Sequence, residues 1–562
     1  MISFLPVYHR LTHTARSWAA LLAAAGCLLL QSPKWTFPLA AWLTPLFLLY
    51  YFRYGSLRRK VLYFLLITWP VTVGAWFDVV PFPLPILVCL ALLVTAFSGM
   101  VYWLDTQFSK RVTSFVQTLF LPAAFTVLEF WESGGGAGVW GSVANTQATV
   151  PALAQLVSVT GLWGLSFLIY WLGPTVIWAL QRYRTERPYQ TGLLVFTVFL
   201  CAAFFYGVLR SQPFFQSANP GKTIRIGGVT VSSFPLLEAT QQDLTGQPLH
   251  LPPTVSPASG ELQQANRGLL AFVARPNANR FRRSRQVLRQ THDRLFALSR
   301  QAVQDGAQLV MWSEAAALVF RPDEPALVKR GQRFAARNKI YLLMTVAAIQ
   351  PEKLTPGGNW MANKTYLVDP AGRLVNVFRK NHPVAGNEQS TRGSGAIPAI
   401  DTPYGRLGIS ICYDADFPAT MRQLSRQRIG LLLLPSGDWH AISPYHSFMA
   451  ILRGVENGCS VARQTRGGLS VFTDYRGRQW ASKDFFDGRQ QLTVTNLPVQ
   501  SVDTLYGRYG DWLAYGCVAF LILTLIYWLS TTIRAFQARR FYPFNAACAP
   551  AATPVVDGKT SN

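Results

Sequence analysis

Two hydropathy patterns alternate along the chain. Continuous apolar windows run over residues 17–31, 35–52, 61–78, 82–104, 113–131, 155–181 and 190–209, and none follows until 512–533. An α-helix needs about 17–25 such residues to cross a hydrocarbon core, so the pattern predicts a multi-pass membrane bundle of about eight helices. Seven fall within residues 1–210 and one within 512–534. The first window is short and precedes Gln31-Ser32-Pro33, but no small-residue cleavage site follows and further spans come at once, so it reads as a helix rather than a leader.

Between the last two windows, from Thr223 to about Pro498, the period changes to short β-type runs separated by turns and amphipathic helices. Strands are expected at Ile224–Val231, Gln308–Trp312, Ile340–Val346, Arg406–Cys412 and Gly430–Pro435, with a last pair at 459–464 and 468–473. A hairpin is expected over Lys364–Lys380, turning at Asp369-Pro370-Ala371-Gly372. Ser284–Asp305 sets Leu288, Leu295, Leu298 and Ala302 near one helical face, and Pro444–Asn457 does the same for Phe448, Ile451, Leu452 and Val455 before Gly458. Strands alternating with helices predict a layered α/β domain over 211–511. Residues 233–280, rich in Pro, Gln and Gly, fit neither period and read as an inserted loop or lid.

Charge gives the bundle a direction. With the N-terminus inside, the inner segments carry Arg10 and Arg16, then Arg53, Arg58, Arg59 and Lys60, then Lys110 and Arg111, then Arg182, Arg184 and Arg187, and finally Arg534, Arg539 and Arg540. The short outer loops carry little beyond Lys34, Asp78 and Glu132. By the positive-inside rule residues 211–511 face outward, and the tail 535–562 returns to the cytoplasm.

Composition agrees with a two-part chain. Half of the 562 residues are apolar and only 14% charged, too apolar for an ordinary soluble enzyme. Lys and Arg outnumber Asp and Glu by 52 to 27, an excess that suits anionic headgroups and inner loops; no nucleic-acid partner is expected. Cys27, Cys89, Cys201, Cys412, Cys459, Cys517 and Cys548 are scattered without metal-ligand spacing, so no disulfide framework, metal or cofactor is expected.

Candidate chemistry stands at three strand ends. Glu314 follows Leu309-Val310-Met311-Trp312-Ser313, Lys380 closes Val377-Phe378-Arg379, and Cys412 ends Leu407-Gly408-Ile409-Ser410-Ile411. A cysteine leaving a buried strand is placed as a nucleophile, and it needs a base and donors for an oxyanion. Glu314 as general base and Lys380 as oxyanion stabiliser would supply both. Taken singly, each has an ordinary structural explanation as core filler, solvated strand end or helix cap.

Together, Trp312-Ser313-Glu314, Phe378-Arg379-Lys380 and Ile411-Cys412-Tyr413-Asp414-Ala415-Asp416-Phe417-Pro418 resemble the three signatures of the nitrilase, or carbon–nitrogen hydrolase, superfamily in order and spacing. That resemblance implies an αββα sandwich with a Glu-Lys-Cys triad. It makes Glu388 the second, supporting glutamate and the backbone of Tyr413 an oxyanion donor. The stretch Pro151–Leu168 and the run Thr504–Trp512 are similar to the signature helix and membrane re-entry of the bacterial apolipoprotein N-acyltransferase family. Membership would imply transfer of a fatty acyl group from a membrane phospholipid, through a Cys412 thioester, to the N-terminal amine of diacylglyceryl-cysteine on an apolipoprotein. It would also place the enzyme in the bacterial inner membrane with its catalytic domain periplasmic.

The chain departs from that family's pattern at His382–Glu388, at Ser436-Gly437-Asp438-Trp439 and at Asp414. Asp414 and Trp439 are thereby expected to meet substrate. A membrane-tethered amidase, an acyltransferase with another amine acceptor, and a non-enzymatic scaffold stand as alternatives. Elsewhere, His440 and His446 lack a metal motif, Glu129 and Glu456 read as packing or ion-pair partners, and Gly134–Gly138 reads as a loop rather than a phosphate cradle. Arg282, Arg283 and Arg285 read as a solvated face, and Asn363-Lys364-Thr365 as a chance glycosylation pattern.

Overall fold

Strand Tyr341–Ile349 is buried along its whole length, and its two faces go to different places. Tyr341 and Leu343 point to the interior between two sheets, whereas Leu342, Met344, Val346 and Ala348 point beneath helices. Covering both faces is what turns a strand into a continuous apolar run. The computed structural model describes residues 5–55, 59–212, 222–355, 357–384, 388–488 and 492–541, with side chains over 14–534. Arg58 and the tail residues 542–562 lie outside the described residues.

The first sheet has seven strands. Its path runs Leu492–Pro498, Thr223–Val229, Leu309–Trp312, Tyr341–Ile349, Met361–Val368 and Leu374–Arg379, and Ala317–Phe320 also pairs with Tyr341–Ile349. The second has six strands, in the order Gln479–Asp484, Leu469–Thr473, Ser460–Arg463, Leu431–Leu433, Gly405–Ile409 and Ala399–Thr402. Ile224, Ile226, Leu309, Met311 and Leu367 of the first sheet meet Leu407, Ile409, Leu431, Leu433 and Phe472 of the second. Helices Arg282–Gln304 and Glu324–Asn338 cover the outside of the first sheet, and Tyr445–Asn457 covers the second, giving four layers, α, β, β, α.

The structure corrects two sequence expectations. Residues 233–280 hold two helices, Phe234–Thr245 and Gly260–Ala274, whose Leu236 and Phe272 pack with Phe281. Their apolar side chains are too few to give a clear period. Ser259 caps the second helix, its Oγ accepting from Leu262 N at 3.1 Å. The window 155–181 is not one helix: Pro151–Ala154 and Val157–Thr160 are short, and Leu162–Arg184 begins only after Gly161 at φ +66°.

The first apolar window lies in helix Leu5–Leu30. Among the described residues, four helices are long and apolar enough to cross a membrane: Leu84–Arg111, Leu162–Arg184, Gln190–Ser211 and Trp512–Arg534. Pro38–Tyr54 and Lys60–Trp76 have 17 residues each and Phe120–Ser133 has 14. At about 1.5 Å per residue a 14-residue helix covers only about 21 Å.

Helix Tyr445–Asn457 joins the two parts. Ala450 faces the second sheet, and Tyr445, Met449, Leu452 and Val455 pack with Leu153, Val157 and Trp163 of the helical bundle. The periodicity predicted one buried face; apart from half-buried Phe448 the whole helix is buried, because the bundle covers its other side.

Candidate active site

The strand ends bring the predicted chemistry together. Lys380 ends the hairpin and is buried, with Nζ 2.7 Å from Glu314 Oε1 and 2.7 Å from Glu388 Oε2. Ser313 N donates to Val229 O at 2.9 Å and Glu314 N to Ser436 O at 3.2 Å, so neighbouring backbone fixes the base. Asn363 completes the cluster: its Nδ2 donates to Glu314 Oε1 at 2.7 Å and to Glu388 Oε1 at 2.8 Å. Lys380 and Asn363 together hold both carboxylates.

Cys412 opens a 3₁₀ turn, Cys412–Asp416, with φ +48°, a left-handed conformation that non-glycine residues seldom adopt. Its N–H donates to Pro435 O at 3.0 Å and its Sγ lies 3.5 Å from Gly437 O. Within the turn Asp414 N donates to Ile411 O at 3.0 Å.

Burial raises the Glu314 carboxyl, but the Lys380 ammonium and hydrogen bonds from Lys380, Cys412 and Asn363 outweigh it, and its pKa lies below the ordinary value. Burial lowers Lys380, but Glu314, Glu388 and Cys412 more than reverse this and hold the ammonium charged. Burial, reinforced by Glu314, pushes the Cys412 thiol well up against the opposing pull of Lys380. The resting cluster is therefore a neutral thiol beside an ionised carboxylate that can take its proton.

Asp414 and Trp439 are placed otherwise than expected. Asp414 is fully buried; Oδ1 accepts from His382 N at 2.6 Å and Oδ2 from Ile411 N at 3.0 Å. It ties the segment after Lys380 to the cysteine turn, and burial raises its pKa to about 7. Trp439 Nε1 donates to Asp78 O at 2.6 Å, an anchor on the bundle.

The bundle itself reaches the cysteine turn. Tyr413 Oη donates to Gly136 O at 2.7 Å and Val139 N donates to Asp416 O at 3.0 Å. Gly138, at φ +60°, has no room for a side chain, since a Cβ would lie 2.5 Å from Asp416 O. Glu129 steadies this loop from below, accepting from Ser166 Oγ at 2.5 Å and Val143 N at 3.1 Å.

Sequence reasoning missed two features. Asn363 reads in the sequence only as part of a glycosylation pattern, although in its strand it shares parity with Thr365 and the inward-facing Leu367, and an amide on that face calls for a partner. The second is a buried network of Asp438, His446, Asp416 and Arg463. Cys412, Asp438 and His446 place ligand-type atoms within 4.8 Å of one another. However, both His446 nitrogens face carboxylates and Asp438 is paired with Arg463, so the trio is the edge of an ion-pair network rather than an open metal site. A polar cavity of about 400 Å³, lined by Asn359, Pro383, Glu388, Ser390, Thr391 and Arg392, adjoins the cluster on the Glu388 side.

Comparison with known proteins supplies the context. A family model described as carbon-nitrogen hydrolase matches residues 284–495, and one described as apolipoprotein N-acyltransferase N-terminal domain matches 24–175. An apolipoprotein N-acyltransferase of Geobacter metallireducens is 27% identical over 409 residues, 68% of each chain. One from Bradyrhizobium diazoefficiens is 23% identical over 437 residues, 73% of each chain. Among solved structures, an amidase from Nesterenkonia sp. is similar at 18% identity and a TM-score of 0.35, covering 50% of this chain and 92% of its own.

Proposed function

The chain belongs to the apolipoprotein N-acyltransferase family within the nitrilase superfamily, and from that membership and the site's geometry we propose how it acts. It is a membrane N-acyltransferase of lipoprotein maturation. The acyl donor is a membrane phospholipid and the acceptor the N-terminal amine of a lipoprotein's diacylglyceryl-cysteine. Glu314 takes the Cys412 proton as sulfur attacks the donor's ester carbonyl. Lys380 and the Tyr413 amide hold the oxyanion, and Glu314 returns the proton to the departing lysophospholipid oxygen. The resulting thioester is attacked by the acceptor amine, with Glu314 again taking the proton and Cys412 leaving as thiol. Glu388 keeps Lys380 oriented throughout.

The observation that carries this reading is the grip of a bundle loop on the nucleophile turn, through Tyr413 to Gly136 and Asp416 to Val139. A freely diffusing amidase has no use for such a grip. An acyl chain costs about 0.8 kcal/mol per CH₂ to bring into water, so a sulfur held at the bilayer avoids extracting the donor. The positive-inside pattern supports seven crossings before residue 211, an eighth at 512–534 and a periplasmic domain over 211–511 in the inner membrane. Residues 233–280 form a lid resting on the bundle, where Ser256 hydrogen-bonds Asp78.

The test is incubation of the purified full chain with labelled phospholipid and no acceptor. An acyl adduct on Cys412, absent from Cys412→Ser and discharged by added apolipoprotein, is expected. An active preparation that forms no adduct would overturn the thioester route.

A further inference from the structure

Four charged groups stand behind Cys412 that the reaction above does not use. His446 lies between two carboxylates, with Nδ1 2.7 Å from Asp438 Oδ1 and Nε2 3.2 Å from Asp416 Oδ1. Arg463 Nη2 donates to Asp438 Oδ1 at 2.9 Å and Oδ2 at 3.0 Å, while its Nη1 donates to Ser447 Oγ at 2.6 Å and Thr465 Oγ1 at 2.7 Å. All four side chains are at most 4% exposed.

Two carboxylates, one at each ring nitrogen, favour the charged ring. Each ring nitrogen stands within hydrogen-bond reach of a carboxylate oxygen, and only the doubly protonated ring donates to both; Nδ1 also lies 3.1 Å from Arg463 Nη2. The Trp140 ring, 5.2 Å from the His446 ring centroid, adds a face suited to a cation. With His446 charged, the group holds two positive and two negative charges and is neutral.

Asp438 is also close to the nucleophile, within the same 4.8 Å grouping as Cys412, and its negative charge opposes ionisation of the thiol. We propose that His446 is a positioning residue that, with Arg463, cancels the field of Asp438 at Cys412 and so lets the thiol give up its proton to Glu314. Through Asp416, which the bundle loop grips at Val139, the same ring ties the cysteine's electrostatics to the membrane part of the chain. The groups facing His446 are Asp438 from the loop after strand Leu431–Leu433, Asp416 from the cysteine turn, Arg463 from strand Ser460–Arg463 and Trp140 from the bundle. Cys412 itself also answers to Glu314 and Lys380. Burial alone would keep His446 neutral, yet the two carboxylates raise its pKa to about 9.

This inference rests on Cys412 being the nucleophile, and the experiment separates the two. In the full-length protein, iodoacetamide alkylation of the Cys412 peptide is followed by mass spectrometry across pH. His446→Gln is expected to slow alkylation at a fixed pH by about tenfold or more, equivalent to about one pH unit. Asp438→Asn in that background restores the rate, and Asp438→Asn alone speeds it. A purely structural role predicts that the second substitution deepens the first defect. Overlaid profiles for wild type and His446→Gln, or no rescue by Asp438→Asn, would overturn the proposal. Should His446→Gln fail to fold, the single Asp438→Asn decides by its direction. A wild-type Cys412 that shows no pH-dependent alkylation at all would instead count against the nucleophile assignment.

Discussion

Asn363 donates to Glu314 on the same Oε1 that receives the Lys380 ammonium, so a neutral amide and a cation share one oxygen of the base. The other oxygen, Oε2, is left toward Gly437, where a Cβ would lie 3.2 Å away. Asn363→Ala leaves Glu314 and Glu388 each one donor short. Hydrogen bonds to charged groups contribute about 1.5–3 kcal/mol, so acyl-enzyme formation should slow by about 10- to 100-fold with the fold retained. Asn363→Asp adds a third carboxylate and should be worse. Single-turnover kinetics of adduct formation measure both, and a rate within twofold of wild type would remove Asn363 from the machinery.

Lys380→Met leaves the buried Glu314 carboxylate and the half-buried Glu388 carboxylate without their cation. Stripping one partner from a buried pair costs about 3–5 kcal/mol, which should appear as a lower Tm as well as lost transfer. Adding Glu388→Gln removes one stranded charge and should recover part of the Tm with no return of activity. Thermal unfolding of the three variants in detergent tests this.

Gly138 and Gly136 form a matched pair of controls. Alanine at 138 combines a left-handed backbone with a Cβ 2.5 Å from Asp416 O, whereas a Cβ at 136 meets nothing within 4 Å. Gly138→Ala should lift the loop from the cysteine turn and slow donor acylation, and Gly136→Ala should leave it near wild type. Equal rates for the two would mean that the loop's contact with the turn does not affect chemistry.

The buried ion network should shape stability with pH. His446 is raised from 6.5 to about 9, so its contribution is full below about pH 6.5 and is lost as pH rises through about 9. Asp438 is lowered from 3.8 to about 2, so its contribution is full above about pH 3.8 and is lost as pH falls through about 2. Tm should therefore fall between pH 6.5 and 9, and His446→Gln should flatten that limb. An unchanged limb would show that His446 titrates alike in folded and unfolded chains.

The sandwich strands were legible because alternation and turn residues are local signals: the Asp369–Gly372 turn and the αL stop at Gly458 stand where the sequence predicts. Glu314, Lys380 and Cys412 were legible as strand ends, and the structure adds the meeting of Glu314, Lys380 and Glu388 through Asn363. The break at Gly161 was not legible, because hydropathy averages over a kink. There the backbone is left-handed, and the Tyr506 ring, 345 positions away in sequence, lies where a side chain would stand, so the position takes only glycine. The Asp438–His446–Arg463 network was hidden for a similar reason, since it assembles from a loop, a helix and a strand that share no short motif. Asp414 looked exposed to substrate because its bonds go to backbone amides, which leave no trace in a sequence.

Helix Leu162–Arg184 starts with its Leu162 amide on the Glu456 carboxylate at 2.9 Å, and Trp163 Nε1 sits on Asp511 Oδ1 at 2.8 Å. Arg422 holds the other Asp511 oxygen, also at 2.9 Å. Biogenesis therefore has a direction. The N-terminal half leaves the ribosome first, and its helix start waits, uncapped, for a residue made almost three hundred positions later. Cut away from that scaffold, a secreted fragment would bare Tyr445, Met449, Leu452 and Val455 as an oily flank and would precipitate rather than work as a miniature enzyme.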